Sequence, residues 1–413
     1  MRKHLTDCDA FQKTKQSKKK DSQQPFQSTE MRVQTTLKPI PTSKDIQYHA
    51  ELDHLAARVC YEDARPFTLY QSPAMRRFLH KLAPNWTPPS PSRIANDLLD
   101  AEYARTHEKV SQVINEIPQW NIVIDGSSDT NHNRILNLII HTVNGAFFWC
   151  QHTIGSTRAS AEMISGWLID QLKEITNDRF HFVNSLSTDT CNVNQSIYSI
   201  LQKSQELSHA LFIPCDSHGL HLLVQDIVKL PAFNEIMQQA NKLVGWFLRS
   251  HKQLATVREH QEVLYGKQIA LIIAVATRWG TQFALVSRLL RNKLALQTYA
   301  VDNPDIENKQ EAYINIIKNA EFWKCLEQVS SILEPVDKII HQSEDDRAHL
   351  GWVLHHWRTI RTAFQKNDSF KQDLLATLDK RMTRQVRSIH YLAYYLMPLH
   401  RNIDLTALDH TEV

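Results

Sequence analysis

Glycine is scarce in this chain, with nine residues in 413. Phosphate loops and dinucleotide cradles need clustered glycines so that backbone can approach phosphate, and no such fingerprint is present. Cysteine is sparse as well. The six copies, Cys8, Cys60, Cys150, Cys191, Cys215 and Cys325, are widely scattered, and no secretory signal is read before them. That pattern excludes a disulfide framework and fits a reducing compartment. No apolar run approaches the length needed to cross a bilayer. A large excess of one charge is also missing: the net charge is only +3, too small for a chain that binds nucleic acid along its whole length.

What is present is an ordinary globular composition, 42% hydrophobic and 22% charged, long enough for two to three domains. The charge is uneven. Arg2, Lys3, Lys13, Lys15, Lys18, Lys19 and Lys20 crowd the start of residues 1–44, which read as a disordered basic tail. Such a run is usually a solvated segment; it also suits nuclear import or salt-sensitive phosphate contact. Residues 45–117 read as a helical lead-in broken by proline loops, with Ile46, Leu52, Leu55, Ala56 and Val59 at helical spacing. Ser90 or Ser92 caps the helix after the stiff Pro84–Pro89 connector.

An α/β pattern follows over residues 118–235. Strands are predicted at Trp120–Ile124, Ile135–Val143, Ala146–Ile154, Phe182–Ser187 and Ala210–Pro214, with Asn144-Gly145 as a hairpin signal. Helices are predicted near Ala159–Ile175, with a stripe of Met163, Ile164, Trp167, Leu168 and Leu172, and near Asn194–Lys203. The order β-β-β-α-β-α-β is that of a ribonuclease H-like core, in which the first and fourth strands are parallel neighbours. Residues 236–413 read as helix almost throughout, including a long amphipathic helix marked by Phe322, Leu326, Val329, Leu333, Val336 and Ile340. The fold class is therefore α/β plus all-α.

Two strands end in aspartate, Asp125 and Asp189. Side by side, such carboxylates can hold a divalent cation for phosphoryl transfer. Taken alone, Asp125 in Asp-Gly-Ser-Ser is good turn chemistry with Ser127 and Ser128. The pairing with Asp189 favours a metal-site ancestry.

Together these segments resemble the hAT superfamily of DNA transposases and their zinc-finger-bearing relatives, over roughly residues 45–400. Arg65-Pro66-Phe67 and Phe78–Leu82 look like the family's lead-in. Asp125-Gly126 resembles the first catalytic position and Thr188-Asp189 the second. Cys215-Asp216-Ser217-His218 resembles the Cys-x-x-His helix start, and Thr277-Arg278-Trp279 the Thr-Arg-Trp element. Ser127 and Thr190 depart from the family's aromatic and asparagine at those places. His4-x-x-x-Cys8 resembles the distal half of a BED-type zinc finger, and two ligands fall short of the four a structural zinc needs.

The resemblance implies a core interrupted by a helical insertion, with Mg²⁺ at Asp125 and Asp189, a third acid beyond the insertion, and a C-terminal dimerisation segment. Neither of the last two is found, with Glu334 and Asp337 the nearest stand-ins for the acid. It also implies DNA contact through His218, Arg278 and Trp279, set against a hydrogen-bonded core histidine, an arginine on a solvated face and a core tryptophan. Cys215 is read as structural rather than as a zinc ligand. His349, His355 and His356 lie near Asp345 and Asp346 but are not assigned to a metal. The expectation is a nuclear, DNA-associated, transposase-derived protein without transposition activity. Self-association is weakened by the missing segment, and no membrane or zinc is involved. The alternatives are an active Mg²⁺-dependent strand-transfer enzyme and a protein-interaction module without DNA affinity.

Overall fold

The computed structural model describes residues 42–117, 119–155, 160–275, 280–303, 310–345 and 347–400. They divide into two compact units, with the boundary between Arg105 and Thr106.

The first unit is helical. Helix α1 (Ser43–Glu62) opens with a capping box, in which Thr42 Oγ1 accepts from Asp45 N–H and Asp45 returns the bond to Thr42 N–H. Helices α2 (Pro73–Leu82) and α3 (Pro91–Ala95) each begin with proline, which lacks the N–H that a first helical turn leaves unpaired. Of the two candidate caps, Ser90 does the work: its Oγ accepts from Arg93 N–H at 3.2 Å. The core is Ala56, Ala57, Cys60, Tyr70, Trp86, Ile94 and Leu98. This corrects the apolar stripe read for α1, since Ile46, Leu55 and Val59 are 59%, 49% and 42% exposed. The helix turns its small residues inward because Tyr70 and Trp86 fill the space against them. Asp53 lies on that buried face and accepts from Trp86 Nε1 at 2.9 Å and Arg93 Nη1 at 2.5 Å.

Helix α4 (Asp97–Glu116) leads to the second unit. Its sheet has strands β1 (Trp120–Ser128), β2 (Arg134–Thr142), β3 (Gly145–Thr153), β4 (Val183–Thr188) and β5 (Leu211–Pro214), in the order β3-β2-β1-β4-β5. The first three strands are antiparallel; β4 runs parallel to β1, and β5 parallel to β4. The predicted strands are all found, with ends shifted by a few residues. The β2–β3 turn is Val143-Asn144, and Gly145 opens β3 at φ +123°, a value that L side chains rarely adopt. Helices α5 (Ala161–Thr176) and α6 (Asn192–Leu201) cover the face carrying Ile122, Ile124 and Leu186, through Ile164, Leu168, Leu172, Ile197 and Leu201.

Among the described residues ten further helices follow: α7 (Asp216–Val228), α8 (Pro231–Arg249), α9 (His251–Tyr265), α10 (Thr281–Arg291), α11 (Lys293–Asp302), α12 (Glu311–Lys318), α13 (Ala320–Ser343), α14 (Leu350–Gln365), α15 (Lys371–Gln385) and α16 (Ser388–Leu396). They share one apolar core, to which α13 contributes all six residues of its predicted stripe. Helix α13 continues through Pro335. Among the described residues no helix is long and apolar enough to cross a membrane.

Candidate carboxylate edge

The parallel register brings the predicted site residues to one edge of the sheet. Val123 is level with Ser187, and Ser187 with Ile213. Two residues further on come Asp125, still within β1, and Asp189 and Cys215, each the first residue after its strand. Parallel neighbours lie about 4.8 Å apart, and the Asp189 charge is felt at Asp125. In open sheets this carboxyl end is where crevices for ligands form.

The turn reading of Asp125 does not hold. Strand β1 continues to Ser128, with Asp125 opposite Asn137 and Ser127 Oγ accepting from Asn137 Nδ2 at 3.1 Å. The turn is built four residues later by Asp129, whose Oδ1 accepts from Asn131 and Asn133 N–H, both at 2.8 Å.

Asp189 starts the connection to α6. Its Oδ1 accepts from Cys191 N–H and from Asn194 Nδ2, each at 2.8 Å. Beside it, the Tyr198 hydroxyl accepts from Thr188 N–H at 3.0 Å and donates to Ile213 O at 3.2 Å, tying the ends of β4 and β5 together. Cys215 N–H donates to Thr188 O at 2.8 Å, and Cys215 is the N-cap residue of α7. His218 lies in the first turn of that helix.

The electrostatics link these groups. Crowding by the protein, and then the Asp189 charge, hold the Asp125 carboxyl above its ordinary range; Gly126 N–H and His218 oppose this. The residue as a whole remains solvent-exposed, so water screens the effect. Burial lowers His218, with Arg381 adding to the shift and the two aspartates opposing it. At neutral pH its imidazole is therefore mainly neutral. Burial raises the Cys215 thiol, which keeps it protonated, the wrong state for a thiolate metal ligand.

The edge thus offers two carboxylates and a neutral imidazole. Among the described residues no group of three or more His, Cys, Asp or Glu side chains is arranged to hold a metal ion. The stand-in acids are engaged elsewhere: Glu334 bonds Lys338 at 2.7 Å, and Asp337 lies 3.7 Å from His341. Arg278 and Trp279, and His4 and Cys8, lie outside the described residues. In the histidine group, His356 is buried and its Nδ1 lies 3.4 Å from Asp216 Oδ2, while Trp357 Nε1 donates to Asp216 Oδ1 at 2.7 Å. These contacts anchor the start of α7. Sequence reading missed Tyr198, Asp216 and Trp357. Asp216 lay inside the Cys-x-x-His motif and was the available signal.

Asp125 within β1, Asp189 just after the parallel β4 and a Cys-x-x-His helix start just after β5 are consistent with a hAT transposase-related protein, and so are the similarities to known proteins. Residues 89–243 match a family described as a domain of unknown function, DUF659. The human zinc finger BED domain-containing protein 4 is 21% identical over 316 residues, covering 74% of this chain and 26% of that protein. The chain thus spans about a quarter of that relative's length.

Proposed function

We propose that this chain is a transposase-derived, DNA-associated nuclear protein. In this reading the sheet is a ribonuclease H-like core, and the Asp125–Asp189 edge descends from a metal-dependent strand-transfer site that no longer supports transposition. The observation that carries it is the placement of Asp125 within β1 and of Asp189 directly after the parallel neighbour β4, in the strand order β3-β2-β1-β4-β5. The zinc finger in the relative's name and the basic N-terminal run support DNA association and nuclear import.

Two mutually repelling carboxylates fit one hard divalent cation, because the ion offsets the Asp189 repulsion that adds to burial in holding Asp125 above its ordinary range. When bound, Mg²⁺ would polarise a scissile phosphate and acidify a water. The protein's own part is to hold the carboxylates side by side and to keep a neutral imidazole, His218, near them as a proton acceptor.

The test is duplex DNA binding across a salt series together with a nicking assay in Mg²⁺. The reading expects affinity that falls as salt rises, since phosphate contacts release counterions, and no nicking. Nicking that disappears in Asp125→Asn overturns the inactive reading in favour of an active strand-transfer enzyme. No affinity even at low salt overturns DNA association and leaves a protein-interaction module.

A further inference from the structure

Gln385 is the last residue of α15 and is 2% exposed. Its Nε2 donates to Cys215 O at 2.7 Å and to Pro214 O at 3.2 Å. These consecutive carbonyls form the joint between β5 and α7. On one side the joint is tied to β4 through Cys215 N–H and Thr188 O, one residue before Asp189. On the other it starts the turn that carries His218, closed by Gly219 N–H on Cys215 O at 3.1 Å.

Gly219 makes room for this contact. A Cβ there would overlap Gln385 Cδ and Oε1 and lie 2.8 Å from its Cγ. Glycine inside a helix costs about 0.5–1 kcal/mol relative to alanine, so its place here follows from the crossing of α7 and α15. One turn earlier on α15, Arg381 Nε donates to Asp226 Oδ2 on α7 at 2.6 Å, and its charge reaches His218. Helix α15 is therefore fixed to α7 at two points, one of them the joint beside the carboxylate edge.

We propose that Gln385 is a positioning residue for the Asp125–Asp189 edge, so that the distant helix α15 sets the geometry in which the edge takes a divalent cation. This rests on the metal-site reading above. An amide is suited to the task because it can donate both of its N–H groups to two adjacent carbonyls while remaining uncharged. A purely space-filling residue would need only the right volume.

The full chain is compared with Gln385→Met, which keeps the length but removes the donor, and with Gly219→Ala/Gln385→Ala, in which the new Cβ fills part of the vacated space. Mn²⁺ alone is the probe, by titration calorimetry, alongside amide hydrogen exchange of peptides covering residues 186–191 and 214–222. Both variants should lose affinity for Mn²⁺ by about tenfold or more, the usual effect of removing a group that orients ligands. Both should exchange faster in the two peptides, while the double variant keeps the thermal midpoint and the exchange of α8. Wild-type affinity and exchange in the double variant overturn the proposal, because volume alone then suffices. A wild-type chain that binds no Mn²⁺ overturns the metal-site reading instead. The exchange comparison then decides separately whether Gln385 holds the edge.

Discussion

Replacing Asp125 by asparagine should stabilise the protein at neutral pH. In the wild type Asp125 lies within β1 and Asp189 directly follows its parallel neighbour β4, and Asp125 is held above its ordinary range by crowding and by the Asp189 charge. Two unit charges about 5 Å apart repel by about 3 kcal/mol at an effective dielectric of 20, and by about 1 kcal/mol in a water-like one. Asp125 is solvent-exposed, so the lower figure applies. The sign follows from linkage. A carboxyl raised in the folded state binds its proton more tightly there than in the unfolded chain, so the cost of ionising it grows as pH rises through the ordinary carboxylate range. Asp125→Asn removes that cost and nothing else of similar size. Thermal unfolding should show a midpoint higher by about 1–3 °C at pH 7, and little difference near pH 3. Adding Mg²⁺ should raise the wild-type midpoint toward that of the variant, since the ion and the amide relieve the same repulsion. A variant less stable at pH 7, or an equal gain at pH 3, would refute the reasoning.

Other outcomes follow from single contacts. Trp357→Phe removes the indole donor to Asp216 Oδ1. A hydrogen bond to a charged group is worth about 1.5–3 kcal/mol, a loss that urea denaturation would detect. Asp53→Ala leaves the buried Trp86 N–H without its acceptor, and should destabilise the N-terminal unit by about 1–3 kcal/mol, read as faster limited proteolysis there. His390 is 1% exposed and is held down to about 4 by burial, with Asp216 opposing. Its neutral form is therefore favoured on folding, and stability should fall by about 3 kcal/mol as pH drops from the unfolded value of about 6.5 toward 4. His390→Asn should flatten that part of the pH–stability curve.

The strand sequence, the hairpin, the Ser90 cap and the stripe of α13 were legible because each is written locally, in period, turn chemistry or first-turn residues. The adjacency of Asp125 and Asp189 followed from strand order, which is a topological consequence of the crossovers and not of any local signal. What could not be read was of two kinds. In α1 two apolar faces compete, and the choice of Ala56, Ala57 and Cys60 over Ile46, Leu55 and Val59 depends on Tyr70 and Trp86 arriving from elsewhere. At the edge, the residues that hold α7 come from 141 and 170 positions away. A buried glutamine at the end of a polar helix carries no local mark of its partner. The Asp-Gly-Ser-Ser segment misled in the other direction: good turn residues continue a strand when β2 offers a ladder.

The bond from Gln385 to Cys215 spans 170 residues. During synthesis at about 5–20 residues per second, the sheet leaves the ribosome about 10–30 s before the glutamine that clasps its last joint. The sheet and its covering helices must therefore persist as a nascent, half-bound species with the carbonyls of Pro214 and Cys215 still open to water. In the order of translation the joint beside the carboxylate edge is completed only once α15 has emerged, and a ribosome stalled before α15 would display the two aspartates on an unclasped sheet.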